Sequence, residues 1–367
     1  MSDTDSIPVL IPDMPFASQL MPWLTRIDAA RCYTNFGPLL GEFETALSLQ
    51  WPGAQVVGVS SGTVALEIAI AALGLPAASN VLVPAFTFAA TASSAMRNGL
   101  QPVLADVSPD TWQLTPDIAR RAAQQRKLAL VIPVAALGCP VDVQAWDVFV
   151  ADTGIPVVID AAAAFGNQQL GQRANVVLSF HATKPFGIGE GGALVTRDGE
   201  LAARVRSLSN FGFHSTQVRE LGSNAKLSEY AAAVGLAQWE RWPGQQARRQ
   251  MLWQTYAQAL RAVPSVQLQQ GFAHNELPAT LSIGLPVAAA DVAAKLAWLG
   301  IQSRRWYCPT LQHHPLFTQC PKAEELSVSS YLNEYSLGLP WYTAITPAQC
   351  ERVVRALQYV LGDHDLT

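Results

Sequence analysis

The sequence predicts an α/β fold with a mainly parallel sheet. From Val56 to about Val195, short apolar runs alternate with amphipathic stretches, which is the pattern of strands whose connecting helices cover a sheet. The apolar runs have the length of strands and end in loops or helical patterns. They are Val56–Val59, Val81–Pro84, Pro102–Asp106, Leu128–Val134, Val157–Asp160, Val176–Phe180 and Ala193–Thr196.

The length of the chain predicts two domains, because 367 residues exceed one ordinary core. Long helical spacing from about Leu227 to Ala262, broken once at Trp242–Gly244, predicts a connecting helix. The remainder mixes helical patterns with short strands and closes with a helix that begins at Pro347. We predict a large domain over residues 1–244, including the N-terminal segment, and a smaller α+β domain over residues 245–367.

Composition argues against several classes of protein. A net charge of -4 provides no basic face for nucleic acid, and no apolar run approaches the roughly 18 residues that span a bilayer. The five cysteines are scattered without a CxxC pair, which argues against a disulfide framework and against a zinc site. Half of the residues are hydrophobic and only 14% are charged, which favours a buried subunit interface. We expect a cytoplasmic protein that binds no nucleic acid, membrane or metal.

The segment Ser60–Thr63 is a candidate anion site. It follows an apolar strand and opens a helix, and the free backbone amides at a helix N-terminus can bind a phosphate. An ordinary N-cap followed by a core helix explains the same residues.

Two further residues are candidates because ligands in open α/β sheets bind beyond the carboxyl ends of strands. Asp160 ends an apolar strand, where its carboxylate could pair with a protonated ring nitrogen, although a helix cap or turn is an equal explanation. Lys184 follows the next strand, within SFHATKPFGIGEGG (Ser179–Gly192). A lysine there could form a Schiff base with an aldehyde and then move a proton, and the glycines would let the backbone pass close to a ligand.

Five segments together resemble one protein family. They read VSSGTVALEIAIAALGL, VLVPAFTFAATASSAMRNGLQPVLADV, VVIDAAAAFGN, SFHATKPFGIGEGGALVT and LGSNAKLSEYAAAVGLAQWERW. In order and spacing, from about Phe36 to Trp242, they are similar to the DegT family of sugar aminotransferases. The resemblance implies a fold of the aspartate-aminotransferase type with a mainly parallel seven-stranded sheet in the large domain. It also implies pyridoxal 5'-phosphate as cofactor and a homodimer whose active sites lie at the subunit interface.

The resemblance assigns roles to residues that match its motifs. Lys184 matches the Schiff-base lysine, Asp160 the partner of the pyridine nitrogen, and Phe88 the aromatic ring that stacks on the cofactor. The positions that match phosphate ligands are Gly62, Thr63, Ser179 and, reaching from the neighbouring subunit, Asn224. The implied reaction moves an amino group from an amino acid, commonly glutamate, to a keto-sugar that is expected to be linked to a nucleotide.

One position departs from the family pattern. Three residues after Asp160, where the family usually has Gln or His beside the cofactor, this sequence has Ala163. A dehydratase or eliminase that uses the same cofactor therefore stays an alternative, as does a non-catalytic sensory or scaffold subunit. Because Lys184 is present, transamination is the favoured hypothesis.

Further candidates lie outside the five segments or at their edges. Arg304, Arg305 and Tyr307 sit where the family carries residues that face the substrate, and the arginines could bind a carboxylate or diphosphate. A solvated loop explains them as well. His181 could contact the substrate or pack at the end of its strand.

Overall fold

The structure, a computed structural model, describes residues 6–362. Helices and strands alternate through the first two thirds of this range, as the sequence predicts. The strands are β1 (Gln55–Val59), β2 (Asn80–Pro84), β3 (Gln101–Ala105), β4 (Leu128–Val131), β5 (Val158–Asp160), β6 (Asn175–Ser179), β7 (Gly192–Thr196), β8 (Phe213–His214), β9 (Gln217–Val218), β10 (Gln267–Leu268), β11 (Ser282–Gly284) and β12 (Ser336–Gly338). The helices are α1 (Ala17–Ala30), α2 (Pro38–Ser48), α3 (Gly62–Ala72), α4 (Ala89–Arg97), α5 (Pro116–Gln125), α6 (Val143–Thr153), α7 (Gly199–Leu208), α8 (Glu229–Leu260), α9 (Ala289–Trp298), α10 (Ser327–Tyr335) and α11 (Pro347–Leu361).

Strands β1 to β7 pair as two neighbouring sheets. One has four strands in the order β1-β7-β6-β5, and the other has three in the order β3-β2-β4. Isolated parallel bridges, Val131 to Val157 and Val134 to Asp160, connect β4 to β5. Regular pairing therefore covers four strands and three strands separately, and a single seven-stranded ladder stays a prediction.

Pairing is parallel between β2 and β3, β2 and β4, and β5 and β6, whereas β7 runs antiparallel to both of its neighbours. The chain passes from β6 to β7 through residues 180–191 without a crossover helix. A short connection of this kind permits an antiparallel neighbour, whereas parallel strands need a longer crossover. The sheet is consequently mixed at this end.

Both faces of the central strands are buried, which explains why they read as continuous apolar runs. Val158 and Val177 belong to one hydrophobic core, and Ile159 and Val176 belong to the core on the opposite face. Because successive side chains of a strand point to opposite faces, each strand contributes to both cores.

Helix α8 does not break where the sequence suggested. It runs uninterrupted through Pro243, so the prediction of a break at Trp242–Gly244 is wrong. Residues on both sides of the proline bind the same partner: Gln238 and Gln245 donate to the backbone oxygen of Asp13, at 2.8 and 3.4 Å. These contacts hold both halves of the helix in line and offset the hydrogen bond that proline cannot donate.

The C-terminal region has a separate core around β10, β11, β12, α9 and α11. Ile7 lies in this core and bridges to Ile301, so the N-terminal segment packs against the C-terminal part of the chain. The proposed boundary at residues 244 and 245 falls inside α8, and residues 1–5 and 363–367 lie outside the described range. The two-domain division therefore stays a prediction. No helix within residues 6–362 combines the length and apolar character needed to cross a bilayer.

Candidate active site

A cleft of about 720 Å³ opens at the carboxyl ends of the central strands. Six of the seven residues that are predicted to bind the cofactor line it, although they are spread over more than 120 positions of the chain. These six are Gly62, Thr63, Phe88, Asp160, Ser179 and Lys184.

The start of α3 forms one end of the cleft. Ser61 is the N-cap, and its Oγ accepts a hydrogen bond from the Val64 amide at 3.2 Å. Within residues 6–362 the amides of Gly62 and Thr63 donate no hydrogen bond. A Cβ at Gly62 would lie 2.6 Å from the Cβ of Ser179, so only glycine lets the helix start this close to the end of β6. Two free amides at a helix N-terminus form a site for an anion.

Asp160 forms the middle of the cleft floor. The residue is 5% exposed, and its carboxylate accepts hydrogen bonds from Thr91 Oγ1 at 2.7 Å and from the Ala162 amide at 3.1 Å. Thr91 in turn shares a 2.8 Å hydrogen bond with Thr87. Burial raises the pKa of Asp160 and outweighs the opposing effects of these donors and of the charge on Lys184. A cation placed against this carboxylate would stabilise its ionised form.

Lys184 follows β6 in a turn closed by a hydrogen bond from its own amide to the His181 oxygen at 2.8 Å. Its side-chain amine makes no hydrogen bond or ion pair with any residue in the 6–362 range. Burial lowers the pKa of this amine, whereas the charge of Asp160 raises it to a smaller extent. A desolvated amine without a partner is suited to act as a nucleophile and as a base.

Two glycines near Lys184 lie where backbone segments approach each other closely. A Cβ at Gly187 would lie 2.7 Å from the Ala182 oxygen, and one at Gly192 would lie 2.5 Å from the Gly62 nitrogen. These glycines therefore let backbone segments pack against each other beneath the cleft.

Phe88 presents an aromatic ring to the cleft. It occupies the N-cap position of α4, and 65% of its surface is exposed. An exposed aromatic ring beside a polar cleft offers a face on which a planar ligand can stack.

Asn224 is the predicted site residue that the structure does not bring to the cleft. It is exposed, and its backbone bridges to Asn210 beyond the end of α7. Its predicted role depends on a second subunit, and so it stays a prediction.

The loop between α9 and α10 lines the cleft opposite the strand ends, with Arg304, Arg305 and Tyr307 among its lining residues. The Arg304 guanidinium lies over the Trp306 ring, 4.4 Å from its centroid. Sequence reasoning left this loop open between a site and a solvated segment, and the structure places it at the site.

Other residues at the site had weak signals or none in the sequence. Thr87 lines the cleft, and Thr91 supports it by donating a hydrogen bond to Asp160. Only the spacing of four residues between these two threonines, around the start of a helix, could have suggested that they share a role. His181 also lines the cleft, where its Nδ1 lies 2.8 Å from Thr183 Oγ1 and its Nε2 lies 3.7 Å from a Glu190 oxygen. Ala163 contributes only a methyl group to the wall.

Comparison with known proteins places this arrangement in context. The sequence profile of the DegT/DnrJ/EryC1/StrS aminotransferase family matches residues 18–358. The Mycobacterium tuberculosis protein Rv3402c is 32% identical, over 97% of this chain and 90% of its own length. The dTDP-4-amino-4,6-dideoxy-D-glucose transaminase of Shigella dysenteriae is 29% identical, over 95% of this chain and 97% of its own.

Among solved structures, DesI, crystallised in the presence of its TDP-sugar product, superposes with a TM-score of 0.88. Its sequence is 29% identical to this one, and the match covers 97% of this chain and 93% of the DesI chain. The α/β aminotransferase fold that the sequence predicts is therefore supported over nearly the whole chain.

Proposed function

The chain belongs to the DegT/DnrJ/EryC1/StrS aminotransferase family, whose members depend on pyridoxal phosphate, and from this premise we propose that it transfers an amino group to a keto-sugar linked to a nucleotide. Glutamate is the proposed donor. The observation that carries the proposal is the Lys184 amine, which lines the cleft with the buried carboxylate of Asp160 and has no hydrogen-bond or ion-pair partner among residues 6–362.

The residues of the cleft fit the phosphate and the ring nitrogen of pyridoxal phosphate. The free amides of Gly62 and Thr63, with the nearby Ser179 hydroxyl, suit the phosphate. Asp160 suits the protonated ring nitrogen, since a cation there compensates for the cost of burying the carboxylate. The exposed ring of Phe88 suits one face of the pyridine. When bound, the cofactor supplies an aldehyde for the amine and a ring that accepts an electron pair.

In the proposed reaction the Lys184 amine would hold the cofactor through its aldehyde and, when free, would move a proton at the α-carbon of the amino donor. Its lowered pKa keeps a fraction of the amine neutral, as a base must be. Asp160 holds the positive charge of the ring in place. Thr91, by its hydrogen bond to Asp160, orients the carboxylate.

The proposed acceptor is a keto-sugar with a nucleotide diphosphate. The support comes from relatives: the Shigella enzyme is named for a dTDP-sugar, and DesI was crystallised with a TDP-sugar product. In this chain the α9–α10 loop adds Arg304 and Arg305 to the cleft. Guanidinium groups bind the oxygens of a diphosphate in a bidentate manner.

The absorption spectrum of the purified protein tests the proposal. With pyridoxal phosphate added, we expect a visible band that is lost when excess glutamate is added and that returns with a keto-acid. A band that no amino donor changes would contradict transamination and favour elimination chemistry. Absence of any band would contradict the assignment of Lys184.

We also propose a homodimer in which Asn224 completes the site of the neighbouring subunit. The support is that Asn224 is exposed and is not among the residues that line its own cleft, together with the exposed apolar residues Val218 and Leu221 close to it in sequence. Subunit mixing tests this: Lys184→Ala and Asn224→Ala proteins, each inactive or weak alone, should regain about a quarter of wild-type activity when their subunits exchange in a two-fold dimer. If Asn224 acts within its own subunit, the mixture stays inactive.

A further inference from the structure

Tyr307 is a partly buried residue whose hydroxyl proton is unused within the part of the chain that the structure describes. Its ring packs edge-on against Phe86, with centroids 5.3 Å apart, and its oxygen accepts a long hydrogen bond of 3.5 Å from the Leu137 amide. Among residues 6–362, no acceptor takes the proton of this hydroxyl. The side chain lines the same cleft as Lys184 and Asp160.

The backbone holds Tyr307 in a costly conformation. Its φ of 60° is in the left-handed region, which a bulky residue seldom adopts. Arg304, which lies earlier in the same loop, is fixed by two backbone hydrogen bonds with Gly338, of 2.7 and 3.0 Å. A strained residue that its surroundings hold in place is typical of functional sites.

The order of strands locates the hydroxyl relative to the other site residues. The anion site lies at the end of β1, Ser179 at the end of β6, and Asp160 at the end of β5. Leu137, which Tyr307 contacts, follows β4 on the other side of β5. The phenol is therefore on the side of Asp160 that faces away from the anion site.

This order matches the chemistry of pyridoxal phosphate. In the pyridine ring, the aldehyde lies between two other substituents: the arm that carries the phosphate is on one side of it, and the ring hydroxyl is on the other. If the phosphate lies at α3, the nitrogen at Asp160 and the aldehyde at Lys184, the ring hydroxyl faces the wall formed by Leu137, Ala163 and Tyr307. Ala163 has no polar group to offer there.

We propose that Tyr307 donates a hydrogen bond to the ring oxygen of the cofactor, an inference that rests on the proposed function. Burial and the charge of Asp160 raise the pKa of Tyr307, so the phenol keeps its proton at neutral pH and can only be a donor to an ionised oxygen. Such a donor stabilises the ionised ring oxygen and lowers the pH at which the bound cofactor loses its proton.

Tyr307→Phe tests the inference because it removes one oxygen and keeps the ring against Phe86. We expect the variant to bind pyridoxal phosphate, with the pH midpoint of its visible band raised by about one unit, the change produced by one hydrogen bond to a charged group. Affinity should fall about ten-fold for pyridoxal phosphate but stay unchanged for its 3-deoxy analogue, which lacks the ring oxygen.

Tyr331→Phe is the matched control, since that hydroxyl donates to the Leu285 oxygen at 3.3 Å and lies outside the cleft. The Tyr331→Phe change should leave both the pH midpoint of the visible band and the affinity for pyridoxal phosphate unchanged. The inference would be overturned if the visible band of the Tyr307→Phe protein had the wild-type pH midpoint. It would also be overturned if the variant lost equal affinity for pyridoxal phosphate and for the 3-deoxy analogue. Either result would leave the proposed function intact. A wild-type protein that forms no band would instead defeat the proposed function.

Discussion

Two buried aspartates at the ends of parallel strands differ in how much of their hydrogen-bonding capacity is used. Asp106 follows β3 and is 6% exposed, and Asp160 ends β5 and is 5% exposed. Asp106 accepts four hydrogen bonds at the start of α10, including 2.7 Å bonds from both the amide and the hydroxyl of Ser329. Asp160 accepts two and lies in a cleft with an unpaired lysine.

The burial of a carboxylate therefore does not distinguish a ligand site from a structural residue. Its position in the sheet and the hydrogen bonds that it can still accept do distinguish them. Strand β3 is at the edge of its sheet, where a returning helix covers the end of the strand and uses the carboxylate as a cap. Strand β5 lies where the two sheets meet, and the strand end opens into the cleft. Asp106 is a structural residue, and Asp160 has capacity left for a ligand.

The largest effect is expected from replacing Lys184, whose amine lines the cleft with Asp160 and has no counterpart at Asp106 within residues 6–362. Lys184→Ala should lower transamination more than about a thousand-fold, since it removes nucleophile and base together. The melting temperature should change little, because the amine makes no hydrogen bond among the described residues. Turnover and thermal unfolding measure the two effects, with Lys295→Ala on the surface of α9 as control. Retained turnover would remove Lys184 from the site.

The next test exchanges each aspartate for asparagine. Asp160→Asn should lower the rate about a hundred-fold and weaken cofactor binding, because a neutral amide cannot hold the charge of the ring. Asp106→Asn should leave the rate unchanged but lower the free energy of unfolding by about 2 kcal/mol, through weaker caps on α10.

The pKa of Asp160 predicts the direction in which Asp160→Asn changes the stability of the cofactor-free protein. Because the pKa of Asp160 is raised, the folded state binds its proton more tightly than the unfolded chain, and this contribution to stability is lost as pH rises through the folded pKa. At neutral pH the variant should therefore be at least as stable as the wild type. A clear loss of stability would show that Asp160 is a structural residue like Asp106.

The contrast extends to two helices that both begin with glycine. Gly62→Ala should weaken cofactor binding about ten-fold or more and destabilise the fold by about 1–3 kcal/mol, because its Cβ would overlap Ser179. Gly199→Ala at the start of α7 meets no atom within 4 Å and should be neutral in both assays. Calorimetry and cofactor titration measure the pair, and equal effects would contradict a special role for the α3 terminus.

The smallest expected effect concerns pH. The neutral amine attacks an aldehyde, so the rate of cofactor attachment should rise with pH through a midpoint below the usual range of lysines, because burial lowers the pKa of Lys184. Stopped-flow absorbance of the cofactor-free protein measures this midpoint. A midpoint at the value of an exposed lysine would show that the amine is solvated.

Much of the region from β1 to β7 could be predicted because its signals are local. Apolar runs locate β1 to β7 within a few residues, and Ser61 before Gly62 predicts the start of α3. The break at Pro243 was wrong, because the contacts of α8 with Asp13, more than 220 residues away, outweigh the local preference of proline.

By itself the sequence determined the α/β class and the family, and it singled out Lys184, Asp160 and Gly62 as candidate site residues, since each belongs to a contiguous motif. Only the tertiary structure decided that Asp160 faces a cleft while Asp106 caps a helix, and that Tyr307 lines the same cleft as Lys184. The physical reason is that the order of strands and the partners of a buried polar group depend on residues distant in the chain, which no local pattern specifies.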